Sequence, residues 1–176
     1  LQNPLVTSRL TDWESIHSEV AKNMMLLDLS RPEAIASADK ISVIVRDLKH
    51  ARDTPAVFIQ RCSEFIFDHF NYQKGITTVE TTLDEILEHQ TGVCQDFAHV
   101  LLQILRTEGI PARYVSGYIC PNKDGARGAG ATHAWVEVWV NGIWHYLGAC
   151  EPEPELNRGW FTGPASRAML VHTTVY

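Results

Sequence analysis

Cys94 and His133 are the two side chains whose types and settings could carry covalent chemistry. Cys94 follows Thr91-Gly92, a helix-breaking pair, and falls in the first turn of an apolar-striped segment from 93 to 107. Free N–H groups and the helix dipole at such a start favour the thiolate, the reactive form of cysteine. His133 opens an alternating segment after the Gly- and Ala-rich run 121–132. A general base works from a rigid element at the edge of a cleft. Each residue also has a plainer reading. A cysteine beginning a core helix serves as a small buried hydrophobe, and a histidine as a surface or satisfied core group. The order helix-start cysteine, helix, strand, loop, strand-start histidine, hairpin is more specific than either. It describes a thiol nucleophile with an imidazole base, which a third group ordinarily orients.

Periodicity and punctuation outline the elements that must hold these groups. Roughly the first 70 residues read as helical. Ser30-Arg31-Pro32-Glu33 carries a helix-start signal, with serine as N-cap and proline in the first turn. Residues 38–48 place Ile41, Ile44, Val45 and Leu48 at helical spacing. Thr54-Pro55 opens a helix whose stripe, from Val57 and Phe58 through Cys62, Phe65 and Ile66 to His69, reads as packing. Thr82 caps a short helix to His89, with Glu85 three positions on. The 93–107 helix ends at Gly109 and Pro111.

The period then changes to two. Strands are expected over 112–119, 133–140 and 143–149, the last two joined by Asn141-Gly142. Both central residues of a type I′ turn need positive φ, which makes this pair a strong hairpin signal. The turn fixes a register: Val140 faces Ile143, Trp135 faces Gly148 and His133 faces Cys150. One face then carries Val136, Val138, Val140, Ile143 and Leu147, apolar apart from His145. The other carries His133, Trp135, Glu137, Trp139, Trp144, Tyr146 and Gly148, the kind of surface that lines a site.

Composition narrows the function classes. Fifteen basic against twenty-one acidic residues give a net charge of −6 in 176 residues. That balance excludes a general nucleic-acid binder, which needs clustered Lys and Arg. No apolar run approaches the ~20 residues of a membrane helix, and no charged-then-apolar start reads as a signal peptide. At 45% hydrophobic and 20% charged, the chain has the make-up of one globular domain. Cys62, Cys94, Cys120 and Cys150 show no C-x-x-C spacing. The compartment stays open between cytoplasmic and exported. Cys94, His99, His133 and Cys150 do not read as a zinc set, because Cys94 and His99 are five apart on a helix and diverge. No cofactor or metal is expected. Cys150 reads as a packing residue rather than a redox partner of Cys94.

Three ordered motifs then carry a resemblance. Thr91-Gly92-Val93-Cys94-Gln95-Asp96-Phe97-Ala98-His99, Gly109-Ile110-Pro111-Ala112-Arg113-Tyr114-Val115-Ser116-Gly117-Tyr118 and His133-Ala134-Trp135-Val136-Glu137-Val138 resemble the cysteine, helix-to-strand and histidine segments of the transglutaminase-like superfamily. Its bacterial cysteine-protease-type members are the nearest in kind. The resemblance covers about Phe65 to Gly148. It implies an α+β, papain-like core in which a Cys-bearing helix packs on an antiparallel sheet. Residues 1–64 form a helical N-terminal portion of the same domain, and 65–176 the catalytic core.

By position, the resemblance makes Cys94 the nucleophile and His133 the base. It departs at the third member, since the strand after the histidine strand reaches Gly148 where the family usually has Asp. Glu151, before Pro152 and Pro154, is the substitute, with Asn157 or a backbone carbonyl as lesser candidates. The Cys94 N–H and either Tyr72 or Gln90 would hold the oxyanion. Asp96 is expected to support the helix start, Trp135 and Trp139 to form an aromatic wall or to pack, and Lys123 and Arg127 to gate the cleft. The implied function is thiol-dependent acyl transfer on a peptide or protein amide, with hydrolysis favoured over transfer to an amine. The alternative is a non-catalytic binding or scaffolding module, motivated by Gly148. The apolar run to Tyr176 reads as a final strand or as an interior point of a longer protein. Neither substrate nor oligomeric state is legible.

Overall fold

The computed structural model describes residues 12–78, 80–119 and 131–148. Four helices come first: α1 (Trp13–Lys22), α2 (Met24–Leu29), α3 (Ala38–Leu48) and α4 (Pro55–His69). Side-chain caps start three of them. Asp12 accepts from Ser15 N for α1, Asn23 from Met25 N for α2 and Thr54 from Val57 N for α4, each satisfying an otherwise orphan donor.

The helix start expected at Ser30 does not occur. Ser30 instead closes α2, its hydroxyl donating to the Leu27 carbonyl at 2.9 Å. Glu33 then exchanges two backbone hydrogen bonds with the Gln103 side chain, at 3.0 and 2.8 Å. Asp84 accepts from the N–H groups of Ala36 and Ser37. Distant side chains thus satisfy the backbone that a helix would have used, and α3 begins only after Ser37.

A two-residue parallel ladder joins β1 (Asn71–Tyr72) to β2 (Thr91–Gly92) around α5 (Leu83–His89). Thr82 and Glu85 form the expected capping box. Then follow α6 (Cys94–Thr107) and an antiparallel meander, β3 (Ala112–Ile119), β4 (Ala131–Val140) and β5 (Ile143–Leu147). The hairpin turns at Asn141 and Gly142 with φ of 54° and 78°. Val140 pairs with Ile143 and Val136 with Leu147, the register that this turn dictates. The expected His133–Cys150 pair reaches beyond the described residues.

The face formed by the even-numbered residues of β3 and β4, and by the odd-numbered residues of β5 opposite them, is the core face. Ala112, Ala134, Val136 and Val138 are buried with Phe97, Ala98 and Leu101 of α6, Phe58 and Ile66 of α4, and Ile41 of α3. Each fully buried Val, Leu, Ile or Phe side chain among them contributes about 2 kcal/mol. The odd-numbered face differs from its expected role at the hairpin end. Trp139 and Trp144 pack on Ile16, Val20 and Leu26 of α1 and α2. The Trp139 indole donates to Glu19. Arg113 lies 4.2 Å over the Trp144 ring while pairing with Glu137. Trp139 is therefore a packing residue, and the N-terminal helices cover this end of the sheet.

Candidate active site

Cys94 is the first residue of α6. Its N-cap is Val93, extended at φ −121°, whose side chain has no acceptor to offer. The third helical residue compensates. Asp96 Oδ2 accepts from Val93 N at 2.7 Å and from the Thr77 hydroxyl at 2.8 Å, and the carboxylate also suits the positive end of the helix. This arrangement explains Gly92. A Cβ there would lie 2.6 Å from Asp96 Oδ2. Asp96 is thus a support of the turn that presents Cys94, the role its place in the first turn implies.

The β1–β2 ladder sets Tyr72 beside Gly92, two residues before Cys94. The Tyr72 ring meets Phe97 edge-on, with centroids 6.4 Å apart. Gln90, the other oxyanion candidate, takes a left-handed conformation at φ 49°. Its carbonyl accepts from Asn71 N at 2.8 Å. It lines a shallow groove with Lys40, Val43, Ile44, Phe70 and Leu87, none of which is a candidate catalytic group.

Tyr114 lies beside α6, a placement that the motif reading passed over as part of a strand. It occupies a core-facing position of β3, opposite Val136, and packs against the core cluster that contains Cys94. Its ring lies parallel to the His99 ring, 5.0 Å away and tilted only 13°. Burial, and then the nearby Cys94, push the phenol pKa up, opposed by the Gln95 side chain beside the hydroxyl. The phenol therefore stays protonated. His99 keeps solvent exposure, yet desolvation in this stack lowers its pKa and favours the neutral ring. The available signal was parity: Tyr114 is a hydroxyl-bearing aromatic at an even-numbered, core-facing position between Ala112 and Ser116.

His133 is the third residue of β4, part-buried, with Gly117 as its ladder partner. Its ring lies 6.2 Å from that of Trp135, tilted 24°, so both belong to the odd-numbered face. Trp135 is 1% exposed. Its indole N–H finds no acceptor among the described residues. A Cβ on Gly117 would lie 2.9 Å from the Trp135 ring, so glycine lets that ring lie flat across β3. Cys94 and His133 thus stand on elements that pack together, α6 and β4. On the sheet itself Tyr114 belongs to the even-numbered face and His133 to the other.

Gly148 lies just past β5, its carbonyl accepting from the Ser63 hydroxyl at 2.6 Å. A Cβ there would meet the Tyr146 hydroxyl at 3.4 Å, ordinary contact. Glu151, Asn157, Cys150, Lys123 and Arg127 lie outside the described residues. Among the described residues no three His, Cys, Asp or Glu side chains gather to hold a metal, and no helix is long and apolar enough to cross a membrane.

Cys62 supplies an internal contrast. It is 0% exposed in the middle of α4, and burial pushes its thiol far above the ordinary range. Cys62 should resist iodoacetamide in the folded protein up to pH 9 and react fully in denaturant. Peptide mapping of the alkylated chain checks this, and native labelling of Cys62 would contradict the packing of α4.

Comparison with known proteins follows the same outline. The family model "Transglutaminase-like superfamily" matches residues 43–149. An uncharacterized protein of Mycobacterium leprae is 46% identical over 79 residues, 43% of this chain and 28% of that one. YebA of Bacillus subtilis is 33% identical over 84 residues, 40% of this chain and 11% of that one. The aligned stretch thus spans about a quarter, or less, of the curated relatives it matches. Among solved structures, a "Putative Cysteine Protease" from Cytophaga hutchinsonii superposes with a TM-score of 0.59 at 23% identity, over 70% of this chain and 41% of that one. The periplasmic domain of TgpA from Pseudomonas aeruginosa gives 0.55 at 22%, over 72% and 46%. Likeness at such identities shows the fold: mixed helices and an antiparallel sheet in the transglutaminase-like, papain-like arrangement.

Proposed function

We propose that this chain, which belongs to the transglutaminase-like superfamily, carries out thiol-dependent acyl transfer on peptide or protein amides with water as acceptor. The observation that carries this reading is the placement of Cys94 as the first residue of α6, in a turn held by Asp96 and Thr77. Helix N-termini lower thiol pKa values and supply N–H donors for an oxyanion.

In this reading His133 takes the Cys94 proton, and the thiolate attacks the amide carbonyl carbon. The oxyanion is received by the Cys94 N–H and the Tyr72 hydroxyl. Collapse breaks the C–N bond, the amine leaves with the proton from His133, and a thioester remains. His133 then deprotonates water, which attacks the thioester; the acid departs and the thiol is restored. Glu151 orients the imidazole in place of the carboxylate that Gly148 cannot supply. The helical portion 1–64 and the core 65–176 act as one domain. The mechanism requires the imidazole to reach Cys94 from the odd-numbered face of β4.

The test is the pH dependence of iodoacetamide alkylation at Cys94, read by mass spectrometry, together with turnover of amide substrates. Cys94 should titrate well below the ordinary thiol value of ~8.5. Glu151→Gln should lower turnover roughly tenfold to hundredfold, less than the ~10⁴ of a serine triad, because a Cys–His ion pair partly orients itself. Its melting temperature should be unchanged. Equal turnover in Glu151→Gln would remove Glu151 from the site. An ordinary titration of Cys94 would overturn the enzyme reading and leave a binding or scaffolding module.

A further inference from the structure

We propose that Trp135 is a positioning residue for the base: its indole face fixes the plane of the His133 imidazole and receives that ring in its protonated form. The inference rests on the reading of Cys94 as nucleophile and His133 as base. A ring nitrogen bonded to a carboxylate or carbonyl has one direction fixed. The imidazole can still turn about that bond, because the last torsion of histidine is soft. A flat neighbour removes this freedom. The Trp135 ring stands beside His133 on the same face of β4, with centroids 6.2 Å apart and planes tilted 24°, within the range of offset aromatic pairs.

Such a neighbour must itself be held. Trp135 is buried. On the β3 side its outer edge lies against Gly117, where a Cβ would stand 2.9 Å from Cη2 and 3.2 Å from Cζ3. Gly117 is the ladder partner of His133, so the residue opposite the base makes room for the indole. On the β5 side the Tyr146 ring follows at 5.8 Å, tilted 38°. Tryptophan carries a cost here, since its indole N–H has no acceptor among the described residues and a buried unpaired donor lowers stability. Phenylalanine or leucine would fill apolar space without that donor. What the indole adds is its face, which attracts a cation more strongly than the other aromatic rings do. The proposed reaction makes His133 an imidazolium twice, once with the Cys94 proton and once with a proton from water. Elsewhere on this face Arg113 and Glu137 pair with each other, Arg113 lies over Trp144 and Glu19 accepts from Trp139. Among the described residues, His133 is the cation-forming group whose ring meets Trp135.

Trp135→Leu removes the face, and Trp135→Phe keeps a flat but weaker one. In Trp135→Leu, kcat for amide substrates should fall about fivefold with KM unchanged, and alkylation of Cys94 at pH 6 should slow about twofold to threefold. Trp135→Phe should recover part of both losses. Gly117→Ala displaces the indole without altering it; it should resemble Trp135→Leu, and it decides the matter if the leucine variant does not fold. The control places the same substitutions in His133→Ala, where none should slow alkylation of Cys94 any further. A slowing that persists without His133 would mean that packing moves the thiol, and would overturn the proposal. Equal losses for leucine and phenylalanine, or no loss in any variant, would overturn it too. In those outcomes a wild-type Cys94 that titrates well below the ordinary thiol value leaves the nucleophile standing. A wild-type Cys94 that titrates as an ordinary thiol would overturn both readings.

Discussion

Replacing His133 with alanine should lower amide turnover by on the order of 10³-fold while slowing alkylation of Cys94 at pH 6 only about tenfold. The gap between the two losses is the informative quantity. A thiol whose pKa rises from about 6 to about 8.5 loses roughly 160-fold in thiolate at pH 6. The more basic thiolate that remains is intrinsically more nucleophilic, by roughly thirteenfold at a Brønsted slope near 0.45. About tenfold is left for alkylation. Amide cleavage carries an added loss, because the departing amine must receive a proton and His133 is the group proposed to deliver it. Equal losses in the two assays would show that His133 sets the thiolate and does no proton delivery. No loss in either would show that the imidazole does not reach Cys94 from its face of β4.

Gly92→Ala is the second large effect. Its new Cβ would stand 2.6 Å from Asp96 Oδ2 and 2.9 Å from Asp96 Cβ, contacts that force the carboxylate out. Displacement breaks two hydrogen bonds at once and leaves Val93 N–H without its acceptor. The cost should be about 2–3 kcal/mol, or roughly 5–10 °C in melting temperature for a chain of this length. Cys94 sits two residues from the clash, so its alkylation profile should shift as well. The double variant Gly92→Ala, Asp96→Ala separates causes. With the carboxylate gone only the contact with the Cβ of residue 96, at 2.9 Å, remains, so the double change should cost clearly less than the sum of the two single changes. Additive losses would mean that Gly92 serves another purpose.

Much of this arrangement was legible from residue types. Asn141-Gly142 announced both the hairpin and its register, because few pairs tolerate two positive φ angles. Thr82 with Glu85, Thr54 before Pro55, and Gly109 before Pro111 marked helix ends by local hydrogen bonding and conformation alone. The superfamily and its fold class were legible in the ordered cysteine, strand and histidine motifs. The failures share a physical cause. The Ser30 signal was overridden by Gln103, 70 positions from the Glu33 it binds, and by Asp84, partners that no local window contains. Whether Trp139 walls a cleft or packs stayed open in the sequence, because the pattern of β4 says nothing about α1 and α2 lying over it. The β1–β2 ladder is two residues long, too short to have a period, yet it is what brings Tyr72 beside Gly92. Tyr114 hid inside a strand motif whose alternation was plain but whose partner helix was not.

Gly148 has a consequence for the history of this chain. Its backbone does not lie in the left-handed region, and a Cβ there meets Tyr146 only at ordinary contact distance. Among the described residues, nothing in the fold demands glycine. A single nucleotide change turns a glycine codon into an aspartate or a glutamate codon, so the chain stands one mutational step from a carboxylate at the end of β5, with the strand end already anchored through Ser63. If another carboxylate orients the imidazole, that step is close to neutral and the position is free to drift. If none does, the same step is a gain of activity open to selection in one move.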